Sequence, residues 1–175
     1  MNDGRTGRQG PYWIFLYSVY GVAMVAQVCL LFLLPAGRIA WLRHVGWALF
    51  VVSAILGWLP ILLFRRHGHV AKGKSYMHTT ELVTSGLYAI VRHPQFLASD
   101  FLAVAVLCIA QHWGVYLAGG VGVGVNHLTM IKADHDLVEK FGEPYHKYKL
   151  LVPQWNFLIG LWSWVRQRRN DRLRW

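Results

Sequence analysis

The chain has 175 residues, 55% of them hydrophobic, with a mean hydropathy of +0.31 and a formal net charge of +10. So much apolar surface on so short a chain speaks for one compact membrane domain over residues 1–175 and against two soluble domains. The positive charge comes without any RNA- or DNA-binding motif, which excludes a nucleic-acid surface and leaves anionic lipid headgroups as its partner.

Four apolar stretches follow one another. Residues 11–35 hold no charged side chain, and neither do residues 45–64. Each is long enough to cross a hydrocarbon core of roughly 30 Å. A third stretch, residues 95–112, carries one acidic residue, Asp100, and a fourth, residues 115–131, follows a very short turn at His112, Trp113 and Gly114. The last two therefore form a helical hairpin. Irregular backbone cannot face lipid, so the expected fold is an all-α integral membrane protein with about four transmembrane helices. Of the eighteen Lys and Arg residues, all but Arg38 and Arg43 fall before the first span, in the loop 65–94, or from Lys132 onward. With four spans these regions share one side, which the positive-inside rule makes cytoplasmic, together with both termini. The first span is too long for a signal-peptide core and is expected to stay in the mature chain. Cys29 and Cys108 lie in apolar stretches and read as buried structural thiols.

Between the second and third spans the chain reads LVTSGLYAIVRHP from Leu82 to Pro94. Proline at the first position of a helix loses no needed donor, and the residue before it is pushed out of the helical region. Arg92 and His93 thus belong to a shaped connector at a helix mouth, preceded by the turn formers Thr84, Ser85 and Gly86. Such a connector suits an anionic or zwitterionic ligand; the plainer alternative is a positive flank of a membrane span.

Asp100 lies six residues beyond Pro94, about 9 Å deeper along a helix. An ionisable group inside an apolar layer calls for a partner. If the hairpin turns near Gly114, the residue level with Asp100 on the returning helix is His127, next to Asn126, and the pair is expected to meet directly or through water. Gly120 and Gly124 on that helix have the four-residue spacing that lets two helix backbones touch, or leaves room for a lipid tail.

From residue 132 to 175 the expected element is amphipathic and cytoplasmic. The segment KADHDLVEKFGEPYHKYKLLVP places a helix stop at Gly142 and a restart at Glu143 and Pro144, with Tyr145 and Tyr148 on one face. Residues 155–165, rich in Trp and Leu, read as a shallow in-plane helix ahead of the basic tail RQRRNDRLRW. No metal site is expected, since His67 with His69, and His135 with His146, lack a ligand set.

LVTSGLYAIVRHP followed by two further helices, an acidic segment, FGEPYHKY and a closing VP resembles the isoprenylcysteine carboxyl methyltransferase family of integral membrane enzymes. Related membrane phospholipid methyltransferases share an RHP-like element. The resemblance covers roughly Thr80 to Pro153. It implies S-adenosylmethionine as cofactor, held on the cytoplasmic side by Leu82, Val83, Tyr88, Arg92, His93, Asp134, Tyr145 and Tyr148, and a lipophilic or membrane-associated acceptor. That acceptor is a prenylcysteine-like carboxylate or a lipid headgroup. Departures from the family pattern are Thr80, Phe96, Ala98, Ala133 and Thr129, the last standing where the family has an arginine; its loss weighs against a carboxylate acceptor.

Methyl transfer from a sulfonium is an in-line displacement, so alignment and exclusion of water are the main tasks. Arg92 and His93 are the catalytic candidates at the connector. An amine or thiol acceptor also needs a base, for which His93, Asp100 and His127 are candidates. Two other readings stand beside this one: an NADPH-dependent membrane reductase of the sterol reductase type, and a non-catalytic membrane protein that keeps the fold. No glycine-rich strand-to-helix turn of a soluble methyltransferase occurs.

Overall fold

The computed structural model describes residues 10–67 and 82–172, and among them every regular element is helical. The helices are α1 (Pro11–Leu33), α2 (Ala40–His67), α3 (Pro94–Ala110), α4 (Trp113–Phe141), α5 (Glu143–Leu151) and α6 (Phe157–Arg172), with a 3-10 turn at Gly86–Ala89. Three stretches are long and apolar enough to cross a membrane: Pro11–Leu33, Ala40–Pro60 and Trp113–Phe141. Helix α3 is also apolar but shorter, 17 residues or about 25 Å, at the lower end of the lengths that cross a hydrocarbon layer. His69, Thr80 and most of the loop ahead of Leu82 lie outside the described residues.

Local chemistry explains the helix ends. Pro11 opens α1, and Leu34, the residue before Pro35, is extended as a pre-proline residue must be. Helix α4 does not stop at residue 131 where its charges begin. No glycine or proline intervenes before Gly142, and Lys132 pairs with Asp136 one turn on, so the helix runs straight into the acidic segment. Gly142 then takes a positive φ of 60° and α5 restarts at Glu143, as the pattern predicts.

The chain packs as two compact units. Unit 1 comprises the described residues up to Ala54 and Ala98–Asp136; unit 2 comprises the described residues of Ile55–Leu97 and those from Leu137 onward.

Unit 1 is built inside out relative to a water-soluble bundle. Helix α1 buries Trp13, Leu16, Ala23 and Gln27 on one face and turns Phe15, Val22, Val25, Phe32 and Leu33 outward, Phe32 being 82% exposed. Burying an amide while exposing a phenyl ring is stable only in apolar surroundings. Gln27 donates its amide to the Ala103 carbonyl at 3.0 Å and Ser53 its hydroxyl to the Ala98 carbonyl at 2.7 Å. A Cβ on Gly119 would collide with the Gln27 amide, so this glycine is what lets α4 approach α1. Gly120 and Gly124 behave differently from the close-packing expectation: an added Cβ on either meets nothing within 4 Å. One residue advances a helix by 100°, which turns Gly119, Gly122 and Asn126 inward and Gly120 and Gly124 outward. Cys29 also faces outward, not into a core, and Cys108 is half-buried.

At one end of unit 1, Gln111 joins two connections. It adopts a left-handed backbone (φ 52°) between α3 and α4. Its amide accepts from Ile39 N at 3.0 Å and donates to Ile39 O at 2.8 Å and Cys108 O at 3.1 Å, while Gly37 N donates to Ala110 O. The side chain thus serves as a strand-like partner for the α1–α2 loop. Gln111→Ala, which removes these bonds and keeps a Cβ in a left-handed conformation, should cost about 1–3 kcal/mol of stability, and Gln111→Gly roughly 1 kcal/mol less. Reversible denaturation in detergent measures both; equal losses would dismiss backbone strain at this turn.

Candidate functional site

In unit 2 the connector Leu82–Pro94 is shaped by what it cannot do alone. Pro94 lacks an N–H and keeps His93 from helical geometry, so the Arg92 and His93 amides have no intrahelical acceptor. They donate to Pro153 O at 3.0 Å and Gln154 O at 3.3 Å, the segment that leads from α5 into α6. His93 O in turn accepts from Leu97 N in the first turn of α3. The connector is further pinned by α6, where Gly160 lies against the Ile90 carbonyl so closely that any Cβ there would overlap the oxygen.

The connector brings together residues spaced far apart in sequence. Tyr145 and Tyr148 are buried with Val152, and Leu82, Leu137, Val138 and Phe141 pack against them. The Tyr148 hydroxyl donates to the Tyr88 carbonyl at 2.6 Å, and its ring sits 5.7 Å from that of Tyr145. His93 is buried with its ring edge-to-face against Phe96 at 5.5 Å. Val83 and Arg92 are half-buried. Leu82, Tyr88, Tyr145 and Tyr148 therefore share one packed cluster, with Arg92 and His93 on the segment clamped to Pro153 and Gln154. Helix α6 presents Leu158, Trp162 and Val165 outward, followed by Arg166, whose guanidinium stacks over Trp162 at 5.3 Å.

The remaining candidates lie in unit 1. The direct partner of Asp100 is Asn126, whose amide donates to Oδ1 at 2.7 Å. His127 lies within electrostatic reach of the same carboxylate, and Tyr20, hydrogen-bonded to Ser99, does too. Asp134 and Ala133 are buried. Thr129, where the resembled family has arginine, is also buried and donates its hydroxyl to Val125 O of its own helix at 2.7 Å. The position is thus satisfied locally and offers no cation. Near the end of α4 a three-residue set, His135, Asp136 and Glu139, brings ligand atoms within 4.8 Å of one another. Asp136 there already accepts from Trp13 Nε1 at 2.9 Å and pairs with Lys132.

Sequence reasoning picked out Asp100 through its charge but matched it by depth to His127, whereas helical phase puts Asn126 on the facing side. It passed over Tyr20, Ser99 and Gly160; a lone glycine inside a Trp- and Leu-rich helix is the signal that marks the last. No protein-family model, curated protein or solved structure matches the chain.

Gly160→Ala must move α6 or the connector and should cost about 1–3 kcal/mol, while Gly120→Ala, which meets open space, should stay within roughly 0.5 kcal/mol. Tyr148→Phe should cost about 1 kcal/mol through loss of the bond to Tyr88. Thermal unfolding in detergent orders the three; a neutral Gly160→Ala would show that the α6 contact does not hold the connector.

Proposed function

We propose that the protein is an S-adenosylmethionine-dependent membrane methyltransferase acting on a lipophilic or membrane-associated acceptor. In this reading α3 completes four crossings, both termini and the cofactor site are cytoplasmic, and α6 lies at the level of anionic headgroups. The observation that supports it most is the meeting of the RHP connector with the FGEPYHKY helix through Tyr148 and Tyr88. These are the two motifs on which the family resemblance rests.

The chemistry of the residues that the resemblance assigns suits the cofactor. A guanidinium answers a carboxylate, main-chain carbonyls and a carboxylate suit an ammonium and ribose hydroxyls, and tyrosine faces suit a purine. When bound, S-adenosylmethionine supplies an electrophilic methyl group on a sulfonium. Arg92 holds the carboxylate end, and Leu82 and Val83 offer carbonyls to the ammonium. Asp134 takes the ribose on the resemblance alone. Tyr88, Tyr145 and Tyr148 shield the site from water, which strengthens every charge interaction inside it.

His93, buried and fixed through its backbone to Gln154, holds a ring nitrogen for the proton of an amine or thiol acceptor; Asp100 and His127 are the other candidates for that proton. A carboxylate acceptor would need no base, and Thr129 offers it no cation. That observation favours a lipid headgroup or another non-carboxylate acceptor over a prenylcysteine.

Purified protein should gain thermal stability with S-adenosylmethionine and none with NADPH. Arg92→Ala should weaken cofactor binding about tenfold or more, as loss of a charge-assisted bond does, and His93→Ala should weaken it as well. Membranes containing the protein and methyl-labelled cofactor should yield labelled lipid extract. Stabilisation by NADPH alone would assign the reductase class, and stabilisation by neither would assign a non-catalytic role.

A further inference from the structure

Unit 2 carries an apolar surface that neither its core nor the cofactor reading uses. From Lys147 to Arg169 the chain holds five basic residues and no acidic one, and the residues between Lys149 and Arg166 are all uncharged. That uncharged stretch spans the end of α5, the bend after it and the first half of α6. Its large side chains point outward: Leu150 is 88% exposed, Leu158 77% and Trp162 63%, and Leu151 and Ile159 are exposed as well. Lys147 on one side of the stretch, and Arg166 and Arg169 on the other, are exposed too.

An in-plane helix, which the Trp- and Leu-rich composition of this segment suggests, needs an apolar stripe along its whole length. Helix α6 divides its charge from end to end instead. On the side of α6 opposite Gly160, which lies against Ile90, the line Leu158, Trp162, Val165 and Arg169 passes from apolar to basic within about 16 Å. Arg166 turns back over the Trp162 ring at 5.3 Å, a pairing of cation and aromatic suited to a headgroup boundary. Much of the backbone of the bend is bonded within the protein, as apolar surroundings require. Val152 N donates to Tyr148 O, the Pro153 and Gln154 carbonyls accept from Arg92 and His93, and the Asn156 side chain caps α6 by accepting from Ile159 N at 3.1 Å. Through Gln154 the bend is fastened to His93, the residue ahead of the apolar helix α3.

We propose that the α5–α6 bend is a wedge inserted into a bilayer with an anionic surface: Leu150, Leu158 and Trp162 enter the hydrocarbon, and Arg166 and Arg169 take lipid phosphate groups at its boundary. Arginine suits that boundary because its stem stays in apolar surroundings while its guanidinium binds phosphate through two hydrogen bonds. A second protein docked here would have to cover apolar side chains and answer the arginines with acids of its own. A bilayer supplies an apolar layer and then phosphate, in the order in which the helix presents its residues. Because the bend is bonded to Arg92 and His93, the wedge also sets the depth of the connector, at the edge of the hydrocarbon. It needs the chain to lie in a membrane and holds whether or not the protein transfers methyl groups.

Nitroxide labels read this depth without any cofactor. They are attached one at a time to the full-length protein, carrying Cys29→Ser and Cys108→Ser, in nanodiscs of phosphatidylcholine with phosphatidylglycerol. Labels at Leu150→Cys and Leu158→Cys should be relaxed more by oxygen, which concentrates in hydrocarbon, than by a neutral, water-soluble nickel chelate. A label at Lys147→Cys should show the reverse. A label at Val165→Cys should lose access to the chelate when phosphatidylglycerol replaces part of the phosphatidylcholine. Each arginine contributes about fivefold to attraction for an anionic surface, so Arg166→Gln with Arg169→Gln should abolish that loss. Chelate reaching the Leu150 and Leu158 labels would overturn the proposal. So would exclusion of both relaxants, the mark of a protein partner or a second copy of the chain on this face, and so would a lipid response that is absent or survives the loss of both arginines. The labelled positions are exposed, so the fold should persist; where a label at Leu158 unfolds the protein, one at Ile159→Cys decides.

Discussion

Two main-chain hydrogen bonds, from Arg92 to Pro153 and from His93 to Gln154, are the constraint on which unit 2 depends. They exist because Pro94 makes the residues before it extended while offering no donor of its own, and extended backbone away from water must find a partner. The segment after α5 supplies the acceptors. Once that pairing is made, the rest follows: α6 starts at Phe157 and is brought against Ile90, where only a glycine fits. The same pairing leaves Tyr148 facing the Tyr88 carbonyl across the cluster. The RHP element is thus held by backbone bonding first, independently of what the Arg92 and His93 side chains do.

Unit 1 answers a different difficulty. With apolar residues outward, the hydrophobic effect that assembles a soluble bundle is weak between helices, and polar contacts with close backbone approach take its place. Amide side chains recur in that role. Gln27 joins α1 to α3, Asn126 joins α4 to α3, and Gln111 bonds the loop at Ile39. Gln27 is the costly member, because its Oε1 is buried without a hydrogen-bond partner among the described residues. Trp13 and Lys132 both engage Asp136, which ties the start of α1 to the charged stretch of α4.

Much of the fold was legible because composition and breakers act locally. Pro11, Pro94, Gly142 and the run of apolar residues in α1 mark their elements without reference to anything distant. The end of α4 was not legible from charge, since lysine and aspartate are tolerated in a helix and only a breaker stops it. Facing residues were harder still. Depth along a helix pairs Asp100 with residue 127, but azimuth selects Asn126, and azimuth depends on how α3 and α4 are rotated. That rotation is set by packing at Gly119 and Gly122 against α1, which no local pattern encodes. Spacing puts Tyr145 and Tyr148 on one face, but neither spacing nor charge links them to Leu82, which lies far away in the chain. The clamp at Pro153 and Gln154 uses backbone groups and leaves no side-chain signature at all.

The charges inside unit 1 bear on what its apolar layer tolerates. At position 129 the resembled family has a cation, which can answer an anionic acceptor; here a buried threonine bonds to its own helix and contributes no charge. At position 100 an acid stands in the apolar layer, held by Asn126. Position 129 supplies no positive charge and position 100 supplies a negative one, so both make this part of the unit less hospitable to an anion. A charge in a poorly solvated layer acts strongly on any ligand that enters it, because little water intervenes to screen it. The electrostatics of unit 1 thus combine an acid at position 100, held by Asn126, with a neutral threonine at position 129 that is bonded to its own helix.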